Sequence, residues 1–370
     1  MVEWKKLGEV CEILDSRRKP VSKSDRSQGA YPYYGANGIQ DYVDDYIFDG
    51  TYLLMGEDGS VINKDKSPVL HWATGKIWVN NHAHVLSQNE SSLLRYLYYV
   101  LQCTDVSDIV RGVPPKINQA NMRNLVVPVP SLSEQQRIVG ILDTFTSSIE
   151  NLKEQISQRR KQYEYYRDQL LDLEGKPGVE MKTLGEVGKC VAGATPSTKI
   201  SEYWEGGDIP WMSSGEVHQG NVTHTASFIT QEGYNNSSTK MLPVNTIVIA
   251  LAGQGKTRGS VAITKIELCT NQSLCGVIID NEKIINKYIF YYLKTRYNDL
   301  RKISSGDGTR GGLNLKMIGS YPFPLPPLSE QQRIVSILDT FEASIQNLEA
   351  QLKQREKQYE YYRNKLLTFD

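Results

Sequence analysis

The octapeptide LSEQQRIV stands at 132–139 and again at 328–335, and each copy opens a stretch that closes with KQYEYYR, at 161–167 and 357–363. In one gapless register offset by 196 positions, about 30 of the 44 residues from Pro130 to Leu173 recur between Pro326 and Phe369, a density that only internal duplication explains. A shorter echo, VEWKKLGEV at 2–10 against VEMKTLGEV at 179–187, marks the start of each copy. The chain is one unit written twice, with two near-constant arms carrying two unlike lobes. The division is a first lobe at 1–130, a first arm at 131–174, a second lobe at 175–326 and a second arm at 327–370. The segment EGKPGVE supplies the Gly and Pro of the linker between copies. The opening echoes lie 177 apart and the closing ones 196, so the second lobe is about 19 residues longer.

Along the arms, apolar residues step by four and three: Ile138, Leu142, Phe145, Ile149, Leu152, Ile156, Tyr163, Tyr166 and Leu170, then Ile334, Leu338, Phe341, Ile345, Leu348, Leu352, Tyr359, Tyr362 and Leu366. That alternation keeps one stripe on a long helix and predicts coiled-coil pairing. Arg159 and Arg355 interrupt the two stripes at equivalent places. Each is read as a register device, a contact for another chain, or a side chain whose stem follows the seam while its head reaches water. Ser133 and Ser329, with Gln136 and Gln332 three residues on, predict capping boxes at the helix starts. The preceding VVPVPSL and YPFPLPPL exclude helix before them. About 38 residues make a rod of roughly 57 Å. Heptad packing does not require the duplication of surface groups, so Glu134, Gln135, Arg137, Gln162 and Arg167, repeated as Glu330, Gln331, Arg333, Gln358 and Arg363, are expected with Arg159 and Arg355 to meet a repeated partner.

A chain of 370 residues suffices for two ordinary cores. Five cysteines without a C-x-x-C pair indicate neither a disulfide framework nor a zinc module and fit a reduced cytosolic setting. The N-terminus lacks the apolar run of a signal peptide, and no apolar stretch is long enough for a bilayer, so a soluble cytoplasmic protein is expected. Net charge is zero, but the second lobe carries 16 basic against 12 acidic side chains. Non-specific charge is not what would hold this chain to a polyanion.

Each lobe reads as short strands followed by a helix. TYLLMGEDGSV and GKIWVNNHAHVL precede the helical SSLLRYLYYVLQC, and NTIVIALAG, GSVAITKIEL and CGVIID precede NKYIFYYLKTRYNDL. The class is α+β. Arms beginning P-x-L-x-E-Q-x-x-I, openings W-K-x-L-G-E-V and M-K-x-L-G-E-V, and the segment GKIWVNNHAHVL resemble the specificity subunit of Type I restriction–modification systems over essentially the whole chain. That resemblance implies two target recognition domains reading a split DNA site. It also implies arms forming an antiparallel, pseudo-two-fold coiled coil that docks two methyltransferase subunits and, through them, restriction subunits. The chain itself would be non-catalytic, with S-adenosylmethionine on the modification partner and ATP with Mg on the restriction partner.

Nothing in the residues contradicts this. The Pro-Pro pairs, Pro114–Pro115 and Pro326–Pro327, do not supply the Asn/Asp-Pro-Pro-aromatic motif of an amino-methyltransferase. ALAGQGKT at 250–257 satisfies a relaxed phosphate-loop pattern, but the RGSVAIT after it reads as a strand where such a loop needs a helix. A hairpin presenting Lys256 and Arg258 to DNA phosphates is expected instead. His82 and His84, spaced i, i+2 on a strand without an acidic neighbour in the motif, are not by themselves a metal site. With Asn80 and Asn81 they are suited to base edges. Before each arm, a Gly- or Pro-rich loop with flanking bases ends in an aliphatic residue and Asn: Arg111 to Lys116 and Asn118 with Arg123 beyond, then Arg301, Lys302, Arg310 and Asn314 with Lys316 beyond. Such loops bring backbone and cations to phosphates. Two rivals remain: a phosphate-loop ATPase around Lys256 and Thr257, and a coiled-coil tether whose lobes read no DNA.

Overall fold

The computed structural model describes residues 2–253, 256–279, 281–304 and 312–369. The chain forms two compact units, Met1–Gln155 with Leu348–Asp370, and Ile156–Asn347. Each unit therefore holds one lobe, the start of one arm and the end of the other.

In the first unit a six-stranded sheet runs in the order Cys11–Ile13, Ala83–Gln88, Phe48–Gly56, Leu70–Val79, Gln28–Gly35, Gly38–Val43. All neighbours are antiparallel except Gln28–Gly35 against Leu70–Val79. Alternation along Phe48–Gly56 sends Leu53 and Met55 into the core beneath the lobe helix and Tyr52 and Leu54 to the opposite face. That helix, Leu94–Leu101, is apolar on nearly every side and buries Tyr96, Leu97, Tyr99 and Val100. The aromatic run of the lobe helix is thus core material, as helical spacing predicts.

The second unit repeats the frame. Lys189–Ala192, Leu274–Ile278, Ile247–Ala250 and Val261–Thr264 follow one another in its sheet as their counterparts do in the first, with Asn221–Val222 at the edge. Its additional length includes a three-stranded sheet of Ser227–Ile229, Ile209–Met212 and Cys269–Thr270. Ile247 and Ile249 face one core, Val248 and Ala250 another. The helical stretch is broken at Arg296 into Asn286–Thr295 and Tyr297–Lys302, where the sequence suggests a single helix. In both units the opening echo forms a strand paired with the one just before the arm: Glu3–Lys6 with Val126–Val129, and Glu180–Thr183 with Pro322–Leu325. Proline is tolerated there because each pair is only two strands wide, with edges on both sides.

The arms are helices Leu132–Leu171 and Leu328–Leu367, 40 residues each, about 60 Å long. Ser133 and Ser329 lie inside these helices, which corrects the capping-box assignment. In the first arm the cap is Ser131, whose hydroxyl accepts from the Glu134 N–H at 3.4 Å; in the second, Pro327 occupies that place. Within the first unit Phe145 stacks on Tyr362 and Lys153 pairs with Glu356, so the two arm segments run antiparallel. In the second unit Phe341 stacks on Tyr166 while Tyr163 donates to Glu342, with the same sense. Arg355 lies over the Phe145 ring at 5.7 Å, and Arg159 over Phe341 at 5.8 Å. The seam cations are held by the face of an aromatic ring on the facing arm, a contact that offsets part of their desolvation.

Candidate nucleic-acid interface

In the first lobe the loop carrying Arg111 and Lys116 is a tight excursion. The two residues exchange backbone hydrogen bonds at 2.9 and 2.8 Å, and Gly112 turns the chain at φ 83°, a region open to glycine. Arg111, Val113 and Lys116 are all exposed, Val113 completely, so an apolar tip stands between two cations. Asn118 is not a free polar group: it caps the helix Gln119–Arg123, its side-chain oxygen accepting from Asn121 N–H at 2.8 Å. Asn314 does the same for Leu315–Gly319 through Met317 N–H. Each loop therefore ends on an N-cap that fixes where the helix bearing exposed Arg123 or Lys316 begins.

Asn81 and His82 are exposed, but Asn80 and His84 are interior groups, which corrects their assignment to base edges. Asn80 accepts from His82 N–H at 2.8 Å and donates to Gln40, shaping the turn. His84 has no exposed surface; its Nδ1 lies 2.6 Å from Asp15 Oδ2 and its Nε2 2.8 Å from the Ile117 carbonyl oxygen. Asp15 also accepts from Val85 N–H and the Gln119 side-chain amide, both at 2.9 Å. Burial raises the Asp15 carboxyl, but the His84 hydrogen bond and charge, the Val85 amide and Arg18 together outweigh it and leave the group below the ordinary Asp range. Glu57 completes the cluster, 2.5 Å from Arg18 Nη1 and 3.4 Å from Lys116 Nζ. Folding supplies the acidic neighbours that the NNHAH motif lacks: ligand-type atoms of Asp15, Glu57 and His84 lie within 4.8 Å of one another. The cation bridging the two carboxylates is Arg18, which reaches Asp15 at 3.4 Å.

In the second lobe, Ile247–Ala250 pairs antiparallel with Val261–Thr264, and beyond the paired register Ala250 N–H donates to the Ser260 carbonyl and Gly259 N–H to the Ala250 carbonyl, both at 2.9 Å. Among the described residues, 256–260 lead directly into the strand Val261–Thr264, without the helix a phosphate loop requires. Residues 254 and 255 lie outside the described residues. Lys256 is exposed, whereas Arg258 is buried rather than at the hairpin tip, its carbonyl accepting from Arg301. Arg301 is half-buried and also donates to the Tyr297 hydroxyl; Lys302 is exposed beside Asp299. Arg310 lies outside the described residues.

On the arms, Gln135 and Gln331 are buried, which corrects their reading as surface groups. Gln135 accepts from Ser92 and from Leu93 N–H at 2.9 Å and donates to the Pro130 carbonyl; Gln331 accepts from Ile285 N–H at 2.9 Å and donates to the Pro326 and Lys283 carbonyls. Leu93 and Ile285 immediately precede the lobe helices, so one glutamine in each arm supplies the acceptor that the helix start needs. Asp143 and Asp339 likewise take Tyr99 with Arg95, and Tyr291 with Lys287. Part of the arm duplication therefore anchors the lobes. The remainder stays outside: Glu134 with Arg137 and Glu330 with Arg333 form two-pronged exposed pairs, and Gln162 is exposed while Gln358 is half-buried. Arg167 and Arg363 lie over Tyr163 and Tyr359, and Tyr165 and Tyr361 are exposed at equivalent places.

The family model for the Type I restriction modification DNA specificity domain matches residues 1–159 and again 177–356. A putative type I restriction enzyme specificity subunit of Haemophilus influenzae is 35% identical over 100% of this chain and 96% of its own length. The EcoR124I/EcoR124II specificity subunit of Escherichia coli is 33% identical, with 100% and 94% covered. In three dimensions the chain resembles the S subunit of a Type I system from M. genitalium, with a TM-score of 0.69 at 16% identity over 100% of this chain and 97% of that one.

Proposed function

We infer that this chain, which belongs to the specificity subunits of Type I restriction–modification systems, reads a split, non-palindromic DNA target, one half with each lobe. As a specificity subunit it recognises DNA and is the non-catalytic member of such a system. The observation that carries the bipartite reading is a common frame with unlike contents: the same four-strand order and an Asn-capped short helix before the arm in both lobes, filled by different side chains. In the first lobe, Arg111 and Lys116 meet phosphates while Val113 offers an apolar contact of the kind a thymine methyl provides. Lys256, Lys302 and Lys316 supply the corresponding exposed cations in the second.

Each arm docks one methyltransferase subunit through its repeated exterior, Glu134 with Arg137, Tyr165 and Arg167 and their counterparts. S-adenosylmethionine is bound by that partner, and ATP with Mg by a restriction subunit. Titration of the purified chain with its modification subunit, followed by mass measurement, is expected to saturate at two partners per chain; saturation at one would contradict the docking reading. The tethering alternative has less support, because it gives no reason for two lobes to keep one frame and differ in its filling.

A further inference from the structure

We propose that Gln272 is a base-reading side chain of the second lobe, that it takes the major-groove edge of an adenine and that Thr195 positions it, on the reading that each lobe recognises one half of the target. Asn81 holds the matching place in the first lobe.

The lobes share little sequence here, VNNH at 79–82 against TNQS at 270–273, with one asparagine in common. What they share is a set of hydrogen bonds. A parallel strand pair leads into each turn, with Tyr34 opposite Val79 and Met212 opposite Thr270. The next residue donates back across that pair, Asn80 N–H to the Tyr34 carbonyl at 3.0 Å and Asn271 N–H to the Met212 carbonyl at 3.1 Å. The same asparagines close the turns with their side chains, Asn80 accepting from His82 N–H at 2.8 Å and Asn271 from Ser273 N–H at 3.1 Å. Between these pinned residues stands one exposed position in each turn, Asn81 in the first lobe and Gln272 in the second.

Each turn is also tied to the end of the cation-bearing loop. Glu57 N–H donates to the His82 carbonyl at 2.8 Å, and the Glu57 carbonyl accepts from Ile117 N–H at 2.9 Å. Leu251 does both for Ser273 and Leu313, each at 2.8 Å. Two ladder spacings, about 9–10 Å in all, therefore separate the turn from the loop end. The major groove is about 12 Å wide, so a side chain on the turn meets base edges when the loop lies on a phosphate strand. The frame is common to both lobes while Asn81 and Gln272 differ, which is what positions reading different bases require.

The chemistry of Gln272 selects the base. The Thr195 hydroxyl donates to Gln272 Oε1 at 2.6 Å and so orients the amide. Thr195 is itself held in place, because the adjoining Ala194 N–H donates to the Thr270 carbonyl at 2.9 Å and the Ala194 carbonyl accepts from Trp211 Nε1 at 3.0 Å. The amide oxygen keeps a second lone pair and Nε2 keeps both hydrogens, which sets an acceptor beside a donor. Adenine offers the complement in the major groove, N7 as acceptor and the N6 amine as donor, whereas guanine offers two acceptors there.

The test uses the chain assembled with its modification subunit and the map of methylated sites on a random-sequence library. The second lobe's half is the one that persists when residues 28–124 are exchanged. Gln272→Ala is expected to reduce discrimination about tenfold at one A·T pair of that half and to leave the other positions as they were. Gln272→Glu is expected to move the preference at that position toward cytosine, whose N4 amine donates to a carboxylate. Thr195→Val is expected to relax the same position about threefold, whereas a merely structural role would lower methylation at all positions together. Asn81→Ala is expected to relax a single position of the other half. The proposal is overturned if Gln272→Ala leaves the map unchanged, lowers methylation uniformly, or acts at a position that is not A·T. An unchanged map in Thr195→Val removes its positioning role, and one in Asn81→Ala removes the matching of the two turns. If the segment exchange itself fails to rewrite one half alone, the two-reader account falls; a successful exchange beside an unchanged Gln272→Ala map removes this assignment only.

Discussion

Exchange of residues 28–124 for the corresponding segment of a relative with a different target is expected to rewrite one half of the recognised sequence and leave the other intact. The exchanged segment contains most of the first lobe's sheet, its helix and the Arg111–Lys116 loop, while the paired strands Glu3–Lys6 and Val126–Val129 and both arms are retained. Each mismatched base pair costs about 1–3 kcal/mol, so a half-site differing at several positions shifts preference by at least about 10³-fold. The readout is the methylation pattern on a random-sequence library. A pattern changed in both halves, or in neither, would mean that the lobes do not read independently.

The second large effect concerns the arms. Phe341→Ala removes the ring that lies under Arg159 and stacks on Tyr166 with centroids 5.6 Å apart, and Phe145→Ala removes its counterpart between Arg355 and Tyr362. Both rings are half-buried, so each truncation is expected to cost about 2–3 kcal/mol, below the range for a fully enclosed aromatic. Urea unfolding reads it as a lower midpoint at similar slope. In Phe341→Ala the Arg159 head also loses its ring, so Arg159→Met in that background should recover part of the loss, as removal of a charge that has lost its partner does. No recovery would place the Arg159 head in water, without an energetic tie to the facing arm.

The arms were legible in the sequence because heptads and duplication are local signals, whereas their antiparallel sense was implied by the family resemblance and is seen within each unit in the pairing of Phe145 with Tyr362 and of Phe341 with Tyr166. The helix start was misplaced, at Ser133 instead of Ser131, because Ser131 with Glu134 and Ser133 with Gln136 satisfy the same spacing rule and only the second pair recurs in the other arm; the inward turn of Gln135 and Gln331 toward the lobe helices is reported by no spacing rule. The central strands of each lobe were equally plain, but Gln28–Gly35 and Gly38–Val43 were not, since their glycines and tyrosines carry no clean alternation. Least legible was the ionic cluster. Asp15 and His84 stand 69 positions apart, and only the register Ile13↔Leu86 reveals that the chain after one strand runs opposite His84 on the other. The surface reading of NNHAH failed at Asn80 and His84 because their partners, Gln40 and Asp15, are remote in sequence.

The most direct measurement is the map of methylated positions in DNA exposed to this chain together with its modification subunit. Two unlike sequence blocks separated by a fixed run of unspecified bases, each lost independently when its own lobe is exchanged, is the predicted pattern. Methylation without sequence context, or within one continuous palindrome, would contradict the account of two different readers on a duplicated frame.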